Sequence, residues 1–90
     1  MYDFSIRELV EMLCFKSVIV ELFDATDRLL TVTEMDEILQ YEENPTEVIL
    51  FARNGSEVVI YKNGIQISTD EENNYVLTSW EPRIRYVISV

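Results

Sequence analysis

Asn54-Gly-Ser-Glu-Val-Val-Ile-Tyr-Lys-Asn-Gly64 carries an Asn-Gly pair at each end, and these two pairs hold the only glycines of the 90-residue chain. An Asn-Gly pair suits a two-residue type I′ turn, in which both central residues take φ > 0 and the twist matches a tight antiparallel hairpin. Two such pairs with seven residues between them predict a meander. Residues 46–53, 56–62 and 65–68 are expected to be neighbouring strands, with 56–62 in the middle.

Downstream, 75–80 and 83–90 read as two further strands, set off by the polar loop 69–74. In the last of them Ile84, Tyr86, Ile88 and Val90 alternate with Arg83, Arg85, Val87 and Ser89, the pattern of one buried and one wetter face. Glu81-Pro82 is expected to break the pairing between these two strands.

Upstream, Ser5-Ile-Arg-Glu8 has the capping-box form. Ile6, Leu9, Val10 and Leu13 then recur at the spacing of one helical face, which predicts a helix over 5–15. Residues 17–23 and 28–33 are β-branched and alternating, and Asp24-Ala-Thr-Asp27 between them is a set of turn formers, so they read as a hairpin. Thr33-Glu-Met-Asp36 repeats the cap pattern, and Met35, Ile38 and Leu39 form a narrow apolar stripe ending near Tyr41. A second, two-turn helix is expected there, stopped by Pro45.

The predicted fold is therefore α+β. It is a single small domain in the order αββαβββββ, with a twisted antiparallel sheet built on the two Asn-Gly hairpins, an N-terminal helix packed on it and a short second helix at one edge. One hydrophobic core is all that a chain of this size supports. The longest apolar runs, 18–20 and 48–52, fall far short of the roughly 18 residues that a membrane helix needs. Acids at Asp3 and Glu8 do not suit the positive start of a secretory signal, so a cytoplasmic location is expected. The single cysteine agrees with a reducing compartment.

Charge is unevenly spread. The net value is −10, and residues 21–47 alone hold nine acids against one base, Arg28, a local net of −8. With the second helix in place, Asp36, Glu37, Gln40 and Glu43 fall opposite Met35, Ile38 and Leu39. The acids then form one exposed face, either solubilising or facing a basic partner. Direct binding of nucleic acid or of anionic membrane is disfavoured, since both depend on clustered Lys and Arg. A histidine switch is ruled out because the chain has no His.

Chemistry is sparse. Nucleophilic catalysis of the Ser-His or Cys-His kind has no base here, and zinc has one Cys and no His to bind it. Cys14, one turn after Val10, reads as a small buried hydrophobe. Asp70-Glu-Glu-Asn-Asn74 is the densest run of oxygen ligands, but it lacks the spacing and the turn glycine of an EF-hand loop, so it reads as a hairpin connection. Both glycines are committed to turns, which leaves no phosphate-cradling loop. No catalytic residue, metal or cofactor is expected.

The expectation for function is a non-enzymatic interaction protein whose acidic surface blocks a basic, nucleic-acid-handling protein such as a nuclease. Its contacts would be Asp24, Asp27, Asp36, Glu37, Glu42 and Glu43, with Trp80, Tyr41 and Tyr61 as candidate aromatic anchors. In size and acidity, though in no shared motif, such a molecule resembles proteins that mimic DNA, anti-CRISPR inhibitors and immunity proteins. The alternative is a small oligomeric assembly protein that pairs through a sheet edge such as 83–90, or through a sheet face. Either a monomer or a homodimer fits.

Overall fold

The structure is a computed structural model describing residues 5–90; residues 1–4, which bear on the leader reading, lie outside the described residues. Helix α1 spans Ile6–Leu13, where the Ser5 hydroxyl accepts the Glu8 N–H at 3.1 Å, as the cap pattern predicts. Its apolar stripe buries Leu9, Val10 and Leu13. Phe15, at φ 68°, turns the chain out of the helix. Phe15 N–H then donates to the Ile38 carbonyl (2.7 Å), and Ile38 N–H donates to the Lys16 carbonyl (3.1 Å).

Eight strands follow: β1 Val18–Phe23, β2 Leu29–Met35, β3 Ile38–Glu43, β4 Glu47–Ala52, β5 Glu57–Tyr61, β6 Gln66–Thr69, β7 Tyr75–Trp80 and β8 Arg83–Ser89. They form two antiparallel sheets, one in the order β2-β1-β8-β7-β6 and one in the order β3-β4-β5. The fold is thus mostly antiparallel β with one short helix, α+β in kind. A single core joins all three layers: Leu9, Val10 and Leu13 from α1, Val18, Val20, Leu77, Tyr86 and Ile88 from the larger sheet, and Ile38, Val48, Leu50 and Ile60 from the smaller. The predicted β1–β2 hairpin is present, with Val20 opposite Thr33 and a bulge between Leu22 and Phe23.

The second helix is not. The stretch 33–41 is the end of β2, a corner at Asp36-Glu37, and the start of β3. Met35 and Ile38 are fully buried, whereas Leu39 is 43% exposed, so the three do not share a helical face. What looked like a cap is a corner brace: the Asp36 carboxylate accepts the N–H of Glu37 (2.8 Å) and of Asn54 (2.9 Å), and its carbonyl accepts the Ser17 hydroxyl. Burial of Met35 and Ile38 together with these tertiary bonds overrides the weak local preference for helix.

The meander also differs from its prediction. β4 and β5 pair across the first Asn-Gly turn, but β5 is an edge strand and β6 belongs to the other sheet. Only the glycine of each pair has positive φ, 87° at Gly55 and 62° at Gly64, so neither turn is type I′. A bond from Gly55 N–H to the Ala52 carbonyl closes the first, and one from Ile65 N–H to the Lys62 carbonyl closes the second. The second turn passes the chain from one sheet to the other.

The reason β6 does not continue the smaller sheet lies on β8. Tyr86, fully buried, donates its hydroxyl to the Val59 carbonyl (2.9 Å) and accepts the Tyr61 N–H (3.2 Å). Alternate residues of β5, such as Lys62 just beyond its end bonding to Thr46, turn their polar groups toward β4. Val59 and Tyr61 turn theirs away, and one phenol occupies the place a fourth strand would take.

Two expectations about the C-terminal strands are corrected as well. β7 and β8 do pair, from Tyr75 opposite Ile88 to Trp80 opposite Arg83, because Glu81-Pro82 sits in the tight turn, where proline forfeits no ladder bond. β8 is no edge: it is the central strand, between β1 and β7.

Candidate interaction surface

The fold brings together charges that the sequence keeps apart. Among the described residues, five ion pairs join bases to acids of the 21–47 segment: Arg7 and Lys62 to Glu43 (3.0 and 2.8 Å), Arg28 to Asp24 (3.3 Å), Arg53 to Glu37 (2.8 Å) and Arg85 to Asp27 (2.9 Å). Glu57 forms no ion pair among the described residues. Arg83 lies over the Trp80 ring and Arg85 over the Phe23 ring, 4.9 and 4.6 Å from the centroids.

Five of the six carboxylates proposed from the sequence are therefore engaged within the chain. The Lys62 ammonium and the Arg7 guanidinium hold Glu43 below the usual carboxylate range. Asp24 is drawn down to about 2, first by the Thr26 hydroxyl and then by the Arg28 N–H, because it closes the β1–β2 turn. Its contribution to stability is present above the ordinary aspartate range and is lost as the pH falls toward 2. Asp27 and Glu37 are paired, and Asp36 braces its corner. Replacing Asp36 with Ala leaves two backbone N–H groups without their acceptor. We expect a loss of about 1 to 2 kcal/mol in urea unfolding, and an unchanged midpoint would contradict the brace.

Glu42 is different. It is exposed and, among the described residues, makes no ion pair or side-chain hydrogen bond. Strand register shows where it points. Val48, Leu50 and Ala52 of β4 and Val58 and Ile60 of β5 are buried, so Glu47, Ile49, Phe51, Glu57 and Val59 lie on the opposite, outer face of the smaller sheet. Glu42 stands across from Ile49, and Ile49 from Val59; Gln40 stands across from Phe51, and Phe51 from Glu57.

The result is an apolar centre, Ile49, Phe51 and Val59, bordered by Glu42, Glu47 and Glu57. None of these three acids has a cationic partner among the described residues. The outer face of the larger sheet is mixed by comparison, with Glu21 and Glu34 on the same side as Arg83 and Arg85.

Glu47 and Glu57 were not among the residues singled out from the sequence. The alternation in 47–52 and 57–61 carries the signal that places them beside the outward-facing apolar positions. Of the proposed aromatic anchors, Trp80 is 46% exposed, while Tyr41 and Tyr61 are partly buried and pack against the core. Cys14 is also partly buried on the core, and burial together with Glu11 pushes its thiol up. Asp70 closes the β6–β7 turn by accepting the N–H groups of Glu72 and Asn74, both at 2.9 Å. Among the described residues no group of His, Cys, Asp or Glu is arranged to hold a metal, and no helix is long and apolar enough to cross a membrane.

No family model matches the chain, and comparison with curated proteins and with solved structures gave no match.

Proposed function

We propose that this chain is a non-enzymatic interaction protein that docks on a basic protein surface through the outer face of the β3-β4-β5 sheet, as an inhibitor of a nucleic-acid-handling protein would. The observation that supports the reading is the pairing pattern. Asp24, Asp27, Asp36, Glu37 and Glu43 serve the chain's own turns and ion pairs, whereas Glu42, Glu47 and Glu57 border a half-buried apolar strip and form no ion pair among the described residues. A partner presenting Lys or Arg around an apolar knob would neutralise the rim and dry the centre, the usual division of labour between the core and rim of an interface. In a nucleic-acid-binding partner, those Lys and Arg side chains are the ones that otherwise hold phosphates.

The test is capture of a purified basic nucleic-acid-binding domain by the immobilised chain. Binding is expected at low ionic strength, with steep weakening as salt rises. Capture that is indifferent both to salt and to competing duplex DNA would contradict it.

A further inference from the structure

We propose that Asn63 is a modification site, at which the folded chain spontaneously exchanges a side-chain amide for a carboxylate with water as the reagent. This goes beyond the docking reading above and does not depend on it. Both Asn-Gly pairs have the local chemistry that favours such deamidation, and the fold separates them.

The reaction needs two groups free at once. The backbone nitrogen of the following residue must lose its proton and attack Cγ of the asparagine, and the side-chain amide must turn to meet it. A glycine in that following position has no Cβ to crowd the approach. A hydrogen bond on either group holds the reaction back, because it must be given up before a ring can close.

Of the five asparagines in the chain, four are held or blocked. Asn44 precedes Pro45, which has no N–H. The N–H that follows Asn73 is that of Asn74, and it donates to the Asp70 carboxylate (2.9 Å); the Asn74 side-chain amide donates to the same carboxylate (3.2 Å). Asn54 is exposed and followed by Gly55, yet the pair is locked at three points. Asn54 Nδ2 donates to the Glu34 carbonyl (2.9 Å), Oδ1 accepts the Ser56 N–H (3.0 Å), and the Gly55 N–H donates to the Ala52 carbonyl (3.1 Å).

Asn63 is exposed as well, and a base precedes each pair, Arg53 in one and Lys62 in the other. Here no hydrogen bond from a described residue reaches the Asn63 side-chain amide or the Gly64 N–H. Only the main-chain carbonyl of Asn63 is engaged, accepting the Trp80 N–H (3.2 Å) and the Ser79 hydroxyl (3.5 Å). Nucleophile and electrophile are therefore both free at this one pair.

Hydroxide takes the Gly64 N–H proton, the Gly64 nitrogen bonds to Cγ of Asn63, and the bond from Cγ to Nδ2 breaks to release ammonia. A five-membered succinimide remains, and water adds to one of its two carbonyls while the Gly64 nitrogen regains a proton. Opening at Cγ gives aspartate at position 63. Opening at the main-chain carbonyl gives isoaspartate, which runs the backbone through Cγ and turns the carbonyl that receives the Trp80 N–H into a free carboxylate. Either product adds one negative charge, taking the net charge from −10 to −11. The isoaspartate product also lengthens, by one methylene, the turn that passes the chain from one sheet to the other.

Peptide mapping by mass spectrometry tests the proposal, on the full chain aged in mildly alkaline buffer and in parallel in concentrated guanidinium chloride. In the folded chain, aspartate and isoaspartate are expected to form at position 63 at least about tenfold faster than at position 54, where three hydrogen bonds must first be given up. In denaturant neither pair keeps its bonds, so the two positions are expected to react at similar rates. Asn63→Gln, whose longer side chain would have to close a six-membered ring, is expected to stop the growth of the more acidic form on ion exchange. Equal rates at the two positions in the folded chain overturn the proposal. So does the same preference for position 63 in denaturant, or an Asn63 that stays intact when folded while both positions react in denaturant.

Discussion

Replacing Tyr86 with Phe is expected to cost about 2 kcal/mol and to lower the melting temperature by roughly 8 to 16 °C. The ring stays, so no cavity forms. What is lost is one hydroxyl that serves two backbone groups of β5, the Val59 carbonyl and the Tyr61 N–H. Both are then left without their partner at the junction of the two sheets. Tyr86→Ala removes the ring as well and should cost about 3 to 5 kcal/mol, a large share of the stability of a domain this small.

The same residue sets an alkaline limit. Burial pushes the Tyr86 hydroxyl up to about 12, against about 10 in an unfolded chain. Between those values the folded chain keeps a proton that the unfolded chain has released, so its contribution is whole below pH 10 and is lost as the pH rises toward 12. The loss amounts to about 2 to 3 kcal/mol. Tyr86→Phe has no such proton, so its unfolding free energy should fall less between pH 9 and pH 11.5 than that of the wild type. Parallel pH profiles for the two proteins, or a melting temperature unchanged by the substitution, would show that the phenol is not the cap of β5.

The second large effect is expected in binding rather than in folding. Reversing Glu42, Glu47 and Glu57 to Lys should weaken docking on a basic partner by at least about 100-fold, because three attractive contacts become repulsive ones. Stability should change by less than about 1 kcal/mol, since none of the three has an ion pair to lose. Reversing Asp24, Glu37 and Glu43 should do the opposite. These acids hold Arg28, Arg53, Arg7 and Lys62, so stability suffers first.

The helix and the first hairpin were legible because their determinants are local. Ser5 and Glu8 are three residues apart, and the alternation in 18–23 lies within one strand. The corner at Asp36 was not. Thr33-Glu-Met-Asp36 reads as a helix cap until Asn54, eighteen residues away in sequence, supplies the N–H that Asp36 accepts. The division into two sheets was hidden for a similar reason. Nothing between Asn54 and Gly64 indicates that a phenol from position 86 will occupy the edge where β6 was expected to pair. The acidity of 21–47 could be read directly, but which acids are available could not, because Glu43 meets Arg7 and Lys62 across separations of 36 and 19 residues. Strand alternation then sets Glu47 and Glu57 on the outer face of the smaller sheet.

The central claim is that one sheet face, and not the acidic segment as a whole, meets a partner. Titration of a basic nucleic-acid-binding domain with three proteins tests it most directly: the wild type, the Glu42/Glu47/Glu57→Lys variant, and a Glu21/Glu34→Lys variant of the other sheet's outer face. The account predicts salt-sensitive binding by the wild type and the Glu21/Glu34 variant, and its loss in the Glu42/Glu47/Glu57 variant. Equal weakening by both sets of reversals would contradict it, since binding would then follow net charge alone.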